Sequence, residues 1–342
     1  MRAPPRTVAL AACPTGGHVR LRPAFEAPDR LHGVPGQYRY DACDECGTVF
    51  QNPRVATEDI GSCYPPDYYE TLGDADAPPP AAARTGVRGW LGDAVRRAVA
   101  CPSEAPAVAR ALAASRSLRE RAFAGLPDAL IPRGGTPGRA LDAGCGAGRL
   151  LRLLARAGWD AEGLEWDADA AARARASSGR PVTVGDFFGA PLPLAAFDLV
   201  VLHHVLEHLP EPAAAVARAA QLLAPRGTVV FVYPNPRALG ARVFGASWYP
   251  WEVPRHLVFP SRRAIADLAR RSGLAPVRVR TAAGWSVPYL LAASRALAAG
   301  RPVGSARPGG RDHAWALLER ALCAVGAPVG EEIVAAFSRS AS

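Results

Sequence analysis

Lysine is missing altogether. All 40 basic residues are arginine, and they set a formal net charge of +9. A lysine-free chain rich in Ala, Gly, Pro and Arg is what GC-rich coding produces, so the charge alone names no partner. The arginines are scattered rather than clustered, which argues against a nucleic-acid footprint. Cysteine is scarce and odd in number, seven in 342 residues. That excludes a secreted disulfide scaffold and predicts a reducing, cytoplasmic setting. No apolar run reaches the ~18 residues of a membrane-spanning helix. Leu10-Ala-Ala-Cys13 has the form of a lipoprotein cleavage box, but the apolar stretch Thr7–Ala12 before it falls short of the ~7–15 residues of a signal core. What remains is a globular composition, 49% hydrophobic and 21% charged. The length suits two domains or one with sizeable additions.

Four blocks follow one another along the chain. Residues 1–68 hold four cysteines and turn signals. Residues 69–135 open on a loop, Gly73–Pro80, and become Ala/Arg-rich; the apolar spacing over Ala105–Phe123 predicts a helix. Residues 131–138 read as a linker. From Arg139 short apolar runs alternate with helical stretches, the βαβ texture of a doubly wound parallel sheet. Strands are predicted at 139–142, 161–165, 182–184, 197–202 and 228–233, with helices at 149–157, 169–176 and 212–223. An irregular Trp/Tyr/Pro-rich segment fills 234–260. A helix at 261–272, a strand near 277–281, two apolar helices within 285–327 and a last strand at 332–338 complete the pattern.

The most informative stretch is Ala140-Leu-Asp-Ala-Gly-Cys-Gly-Ala-Gly-Arg149. Gly144, Gly146 and Gly148 lie between a strand and a helix, where absent side chains permit a tight turn and close ligand approach. The next helix begins there with free N–H groups. The spacing is not the dinucleotide fingerprint, because position 149 is Arg. Asp142 suits a ligand ammonium better than a pyrophosphate. Glu165, 21 residues beyond Gly144, is placed to accept from both ribose hydroxyls, with Trp166 following as a further contact. Asp186 would accept from an adenine amino group and Phe187 would pack on the ring. Ammonium, carboxylate, ribose and adenine without phosphate describe S-adenosylmethionine.

These residues, with Gly163-Leu-Glu165, Gly185-Asp186 and Phe197-Asp-Leu-Val-Val-Leu-His-His-Val-Leu-Glu-His-Leu209, resemble the class I S-adenosylmethionine-dependent methyltransferases. The resemblance implies an α/β fold with a seven-stranded sheet in the order 3-2-1-4-5-7-6, the seventh strand antiparallel. Residues 136–342 would form that domain, with 285–327 inserted before the last strand. The run His204-x-x-Glu207-His208 also resembles the ubiquinone-biosynthesis O-methyltransferases, which carry Glu-x-x-Glu-His there, a group able to hold a divalent metal. His204 in place of the first carboxylate disfavours a magnesium-type oxygen site.

Methyl transfer to a hydroxyl benefits from a base, and His203, His204 and His256 are the candidates; His203 would also border the cofactor. The alternative for Glu207-His208 is that the pair orients the next helix. Trp248, Tyr249 and Arg255, within Ser247-Trp-Tyr-Pro-Trp-Glu-Val-Pro-Arg-His-Leu257, are expected to cap a small-molecule acceptor. The competing reading closes the core edge with the aromatics and pairs Arg255 with an acid. The apolar helices of 285–327 are expected to pack on the domain; a dimer contact or a lipid surface are the other readings.

Cys43-Asp-Glu-Cys46-Gly47 is a knuckle of the kind that binds zinc, and Cys13 begins a partner for it. In the bacterial branch that this chain resembles, the N-terminus looks like a zinc ribbon with two such knuckles. Position 16, where the second cysteine would fall, is Gly16. The ligand set would then be Cys13, His18, Cys43 and Cys46; a degenerate, metal-free ribbon is the alternative. Cys63, Cys101, Cys145 and Cys323 read as ordinary thiols. The expected activity is methylation of a small molecule at oxygen. A zinc-ribbon protein binding nucleic acid and a non-catalytic cofactor binder are the competing classes.

Overall fold

The computed structural model describes residues 3–65, 68, 87–100, 103–123, 128–131 and 138–340. The predicted loop Gly73–Pro80 and most of the linker lie outside the described residues. In chain order the elements are β1 (Thr7–Val8), β2 (Leu21–Ala27), β3 (Tyr38–Cys43), β4 (Val49–Gln51), β5 (Arg54–Val55), α1 (Val87–Ala100), α2 (Ala107–Ala114), α3 (Arg116–Ala122), β6 (Arg139–Ala143), α4 (Arg149–Arg156), β7 (Asp160–Glu165), α5 (Ala168–Ser178), β8 (Val182–Val184) and β9 (Phe197–His203). They continue with α6 (Pro212–Leu222), β10 (Leu223–Pro234), α7 (Leu239–Phe244), β11 (Val258–Phe259), α8 (Arg262–Arg271), β12 (Leu274–Ala282), α9 (Val287–Ala298), α10 (Gly310–Ala324) and β13 (Glu332–Arg339).

The large sheet runs β8-β7-β6-β9-β10-β13-β12. Numbered by appearance within that sheet, this is 3-2-1-4-5-7-6, as expected. β6 pairs in parallel with β7 and β9, and β7 with β8; β12 and β13 are antiparallel. Contacts divide the chain into two compact units. One comprises 69–202 and 221–230; the other joins 1–68 with 203–220 and 231–340. The N-terminal segment therefore shares a unit with the second half of the chain rather than standing apart.

In the first unit, every residue of β9 before His203 is buried except Asp198, as a central parallel strand requires. Asp198 instead accepts a 2.8 Å hydrogen bond from the Arg139 amide. α4 turns Leu151 and Leu154 inward, one helical turn apart. α5 is capped by Asp167, which accepts from the Ala170 amide at 2.7 Å, a contact worth about 1 kcal/mol. The single helix predicted over 105–123 is two helices, because Ser115 adopts an extended conformation between α2 and α3.

The second unit is organised around a four-stranded sheet, β11-β4-β3-β2. Its edge strand comes from the irregular segment: Val258 pairs with Phe50 and Phe259 with Val49. Tyr40, Trp248, Trp251, Val253 and Phe259 pack into one core cluster. Phe25 stacks on Tyr40 with ring centres 4.6 Å apart.

Candidate active site

The glycine turn is built by backbone geometry. Gly144, Gly146 and Gly148 all have positive φ, at 76°, 52° and 85°. At Gly148 a Cβ would also meet the Ala174 Cα at 2.8 Å, so the close approach of α4 to α5 requires glycine there. Glu165 pins the turn: its Oε2 accepts from the Gly146 amide at 2.8 Å and its Oε1 from the Asp167 amide at 3.1 Å.

Asp142 lies opposite Val201 in the β6–β9 register. It is buried, and its Oδ2 has no hydrogen-bond partner among the described residues. Burial, then the charge of Glu165, push its carboxyl up to about 7. A cation beside it would remove both penalties. Asp186 spends Oδ1 on the Phe188 and Gly189 amides, both at 2.9 Å. Phe187 is closed into the unit while Phe188 is exposed. Of the two rings at this corner, the one open to solvent is that of Phe188. Trp166 is about half exposed.

The second unit gathers the histidines. His204, at φ 54°, holds Glu207 Oε1 on Nδ1 at 3.2 Å and Glu332 Oε1 on Nε2 at 3.4 Å. Burial opposes its charge, but the two carboxylates overcome burial and raise its pKa well above the ordinary range. The two carboxylates thus favour its protonated form, which runs against the expectation that it serves as a base. His256 is enclosed; its Nδ1 lies 2.8 Å from the Pro250 carbonyl, and burial lowers its pKa to about 4. His208 is also lowered to about 4, by burial and then by His256. Its Nδ1 lies 2.8 Å from the Tyr64 hydroxyl. His203 sits edge-on to His204 and is partly exposed at the end of β9. Glu207, His208 and His256 each bring a ligand atom within 4.8 Å of the others. Glu207 Oε2 is buried without a hydrogen-bond partner. Two imidazoles and a carboxylate suit zinc or iron better than magnesium.

Arg255 is fully enclosed. Its Nη1 and Nη2 reach the two Asp29 oxygens at 2.9 and 3.1 Å, its Nε reaches Glu252 at 3.2 Å, and it also donates to the Cys63 and Val253 carbonyls. Trp248 is 1% exposed and donates to Glu331 at 2.6 Å. The expectation that these two side chains contact an acceptor is therefore corrected: both are spent on internal partners. Tyr249 is less enclosed and lies edge-on to Tyr289.

The methyltransferase-domain family matches residues 115–279. With the strand order and the glycine turn, this decides the family. The chain carries a class I S-adenosylmethionine-dependent methyltransferase domain. Among its relatives are the ubiquinone biosynthesis O-methyltransferase of Ralstonia nicotianae, 33% identical over 154 residues (42% of this chain, 65% of the relative), and that of Methylococcus capsulatus, 36% identical over 126 residues (34% and 53%). The chain spans less than two thirds of the length of these curated relatives. Solved structures similar to it include a TehB-like SAM-dependent methyltransferase from Corynebacterium glutamicum, at 21% identity and TM-score 0.38, covering 62% of this chain and 84% of that one. Another is phosphoethanolamine N-methyltransferase 2 of Haemonchus contortus in complex with S-adenosyl-L-methionine, at 16% identity and TM-score 0.41, covering 60% and 49%. The residues of the methyltransferase domain fit the cofactor: a buried carboxylate with one unpartnered oxygen, which its ammonium would satisfy, and a side-chain-free turn.

Outside the matched span, three of the cysteines come together with a histidine. Cys13, His18, Cys43 and Cys46 place their ligand atoms within 4.8 Å of one another. The Cys13 and Cys46 sulfurs are 3.6 Å apart, and Cys43 Sγ is 3.5 Å from His18 Nδ1. These match the ~3.8 Å edge of a tetrahedron with ~2.3 Å metal–sulfur bonds. A Cβ at Gly16 would fall 2.3 Å from the His18 ring. The histidine thus occupies the room that a side chain at position 16 would need. Thr15 was not foreseen; its hydroxyl lies 3.1 Å from Cys13 Sγ. Nor were Asp29, Glu252 and Glu332, whose partners are remote or lack a sequence pattern.

Proposed function

We propose that the chain transfers the methyl group of S-adenosylmethionine to an oxygen of a small-molecule acceptor. In that step the sulfur–methyl bond breaks, a methyl–oxygen bond forms, sulfur leaves as a neutral thioether and the hydroxyl proton passes to a base. The observation that carries the reading is Asp142, a buried carboxylate with an unpartnered oxygen two residues before the glycine turn. It supplies the charge that a sulfonium amino acid's ammonium calls for. Oxygen is supported by the O-methyltransferase relatives. We assign the base to His203, partly exposed at the end of β9, because two carboxylates favour the protonated form of His204 and His256 is enclosed. Incubation with methyl-labelled S-adenosylmethionine and a panel of phenols, catechols and sugars tests this. Methyl ethers are expected, with turnover at least ~100-fold lower in His203→Ala and cofactor affinity within about twofold. Turnover of the variant at the wild-type rate would remove His203 from the role.

We further infer a structural zinc on Cys13, His18, Cys43 and Cys46. The reading rests on the tetrahedral spacing and on His18 filling the room at position 16. A nucleic-acid role for the same segment is disfavoured by charge. Arg6, Arg20, Arg22, Arg39 and Arg54 each lie against a carboxylate, which leaves little free positive surface.

A further inference from the structure

α9 and α10 were both expected to pack on the domain, and only α9 does so along most of its length. α9 buries Val287, Leu291, Ala293 and Leu297. α10 turns Asp312, Ala316 and Glu319 inward. Its other side carries Ala314, Leu317, Leu318, Ala321 and, one residue past the helix, Val325, all exposed. The spacing i, i+3, i+4, i+7, i+11 makes them one apolar stripe. Leu317 is 64% exposed, Leu318 55% and Val325 82%. Trp285, 69% exposed, adjoins the helix: the Arg320 guanidinium lies 4.6 Å above its ring and donates to the Gly284 carbonyl at 3.0 Å.

The charge around the stripe has one sign. Between residues 299 and 331 the acids are Asp312, Glu319 and Glu331, and all three are buried. Arg301 and Arg307 in the preceding loop and Arg311 in the first turn of α10 are exposed. A second copy of the same face would bring arginine against arginine. An anionic surface meets the rim with opposite charge and the stripe with hydrocarbon. No helix among the described residues is long and apolar enough to cross a membrane, so contact lies in the plane of the surface.

We propose that α10, with Trp285 beside it and the arginines before it, seats this protein on an anionic phospholipid bilayer. The inference is independent of the methyl-transfer reading. Co-sedimentation of the full chain with vesicles of phosphatidylglycerol and phosphatidylcholine tests it, against vesicles of phosphatidylcholine alone. Binding to the mixed vesicles is expected, at least tenfold stronger than to the neutral ones and weakened by 0.5 M salt, a level at which surface charge is largely screened (about). Leu317→Ser/Leu318→Ser should lower it at least tenfold with an unchanged thermal midpoint. Arg301→Ser/Arg307→Ser, which leaves the helix untouched, should lower it several-fold and keeps the test valid if the first variant misfolds. Failure of the wild type to bind mixed vesicles would overturn the proposal, as would equal binding by the loop variant. Self-association in light scattering that Leu317→Ser/Leu318→Ser abolishes, without vesicle binding, would assign the face to a second copy instead.

Discussion

The glycine turn and the Arg255 cluster satisfy their polar groups in different ways. At the turn, Glu165 reaches amides 19 and 2 residues away, and the geometry follows from glycines at fixed spacing. At Arg255 the main partner is Asp29, 226 residues distant, and nothing local marks the pair. The turn leaves one buried carboxyl oxygen without a partner, Oδ2 of Asp142. The Arg255 cluster instead spends its cation on Asp29 and Glu252. The first arrangement is ready for a ligand, and the second holds a fold together. Substitutions at the turn should therefore change binding, whereas substitutions in the Arg255 cluster should change stability.

The largest effect is expected at the cysteines. Apparent zinc affinities of small structural sites correspond to roughly 10 kcal/mol or more of folding energy. Chelation, or Cys46→Ser, should remove about one zinc per chain and lower the thermal midpoint by more than about 10 °C. A protein that contains no zinc by elemental analysis would count against the centre.

Next is Arg255→Met, which strands Asp29 and Glu252 without their cation. Breaking one side of a buried pair costs about 3–5 kcal/mol, to be read from urea unfolding. Adding Asp29→Asn should recover a good part of the loss. An unchanged midpoint in the single variant would break the contrast between the two regions.

Much of the fold was legible because periodicity reports local structure. The strand at Val182–Val184 has its expected ends, and the sheet order is the one that the family resemblance implied. The helix break at Ser115 was not legible because Ala113 and Ala114 before it and Arg116 after it all favour helix. At the site, Asp142, the glycines and Glu165 were readable from spacing. His204 was misread because its charge depends on Glu332, 128 positions along the chain. The enclosure of Arg255 and Trp248 was not legible for the same reason: their partners, Asp29 and Glu331, carry no pattern that points back to them.

A smaller effect separates the regions by pH. Burial pushes Glu319 up to about 8 and Glu331 up to about 7. Between the ordinary carboxyl range and those values the folded chain holds protons that the unfolded chain has released. Stability therefore falls as pH rises through that window. Glu319→Gln should flatten the fall, matching wild type near pH 5 and exceeding it near pH 8.5, by urea unfolding at each pH. A variant that loses stability equally at both values would refute the assignment.

The central claim is that the residues from Asp142 to Glu165 form the seat of S-adenosylmethionine. Isothermal titration with that nucleoside, on wild type, Asp142→Asn and Glu165→Ala, tests it most directly. The account predicts saturable binding to the wild type and at least tenfold weaker binding to each variant. It also predicts that Asp142→Asn unfolds no earlier than wild type, since an unpaired buried charge has been removed. No binding to the wild type, or equal affinity in all three proteins, would contradict it.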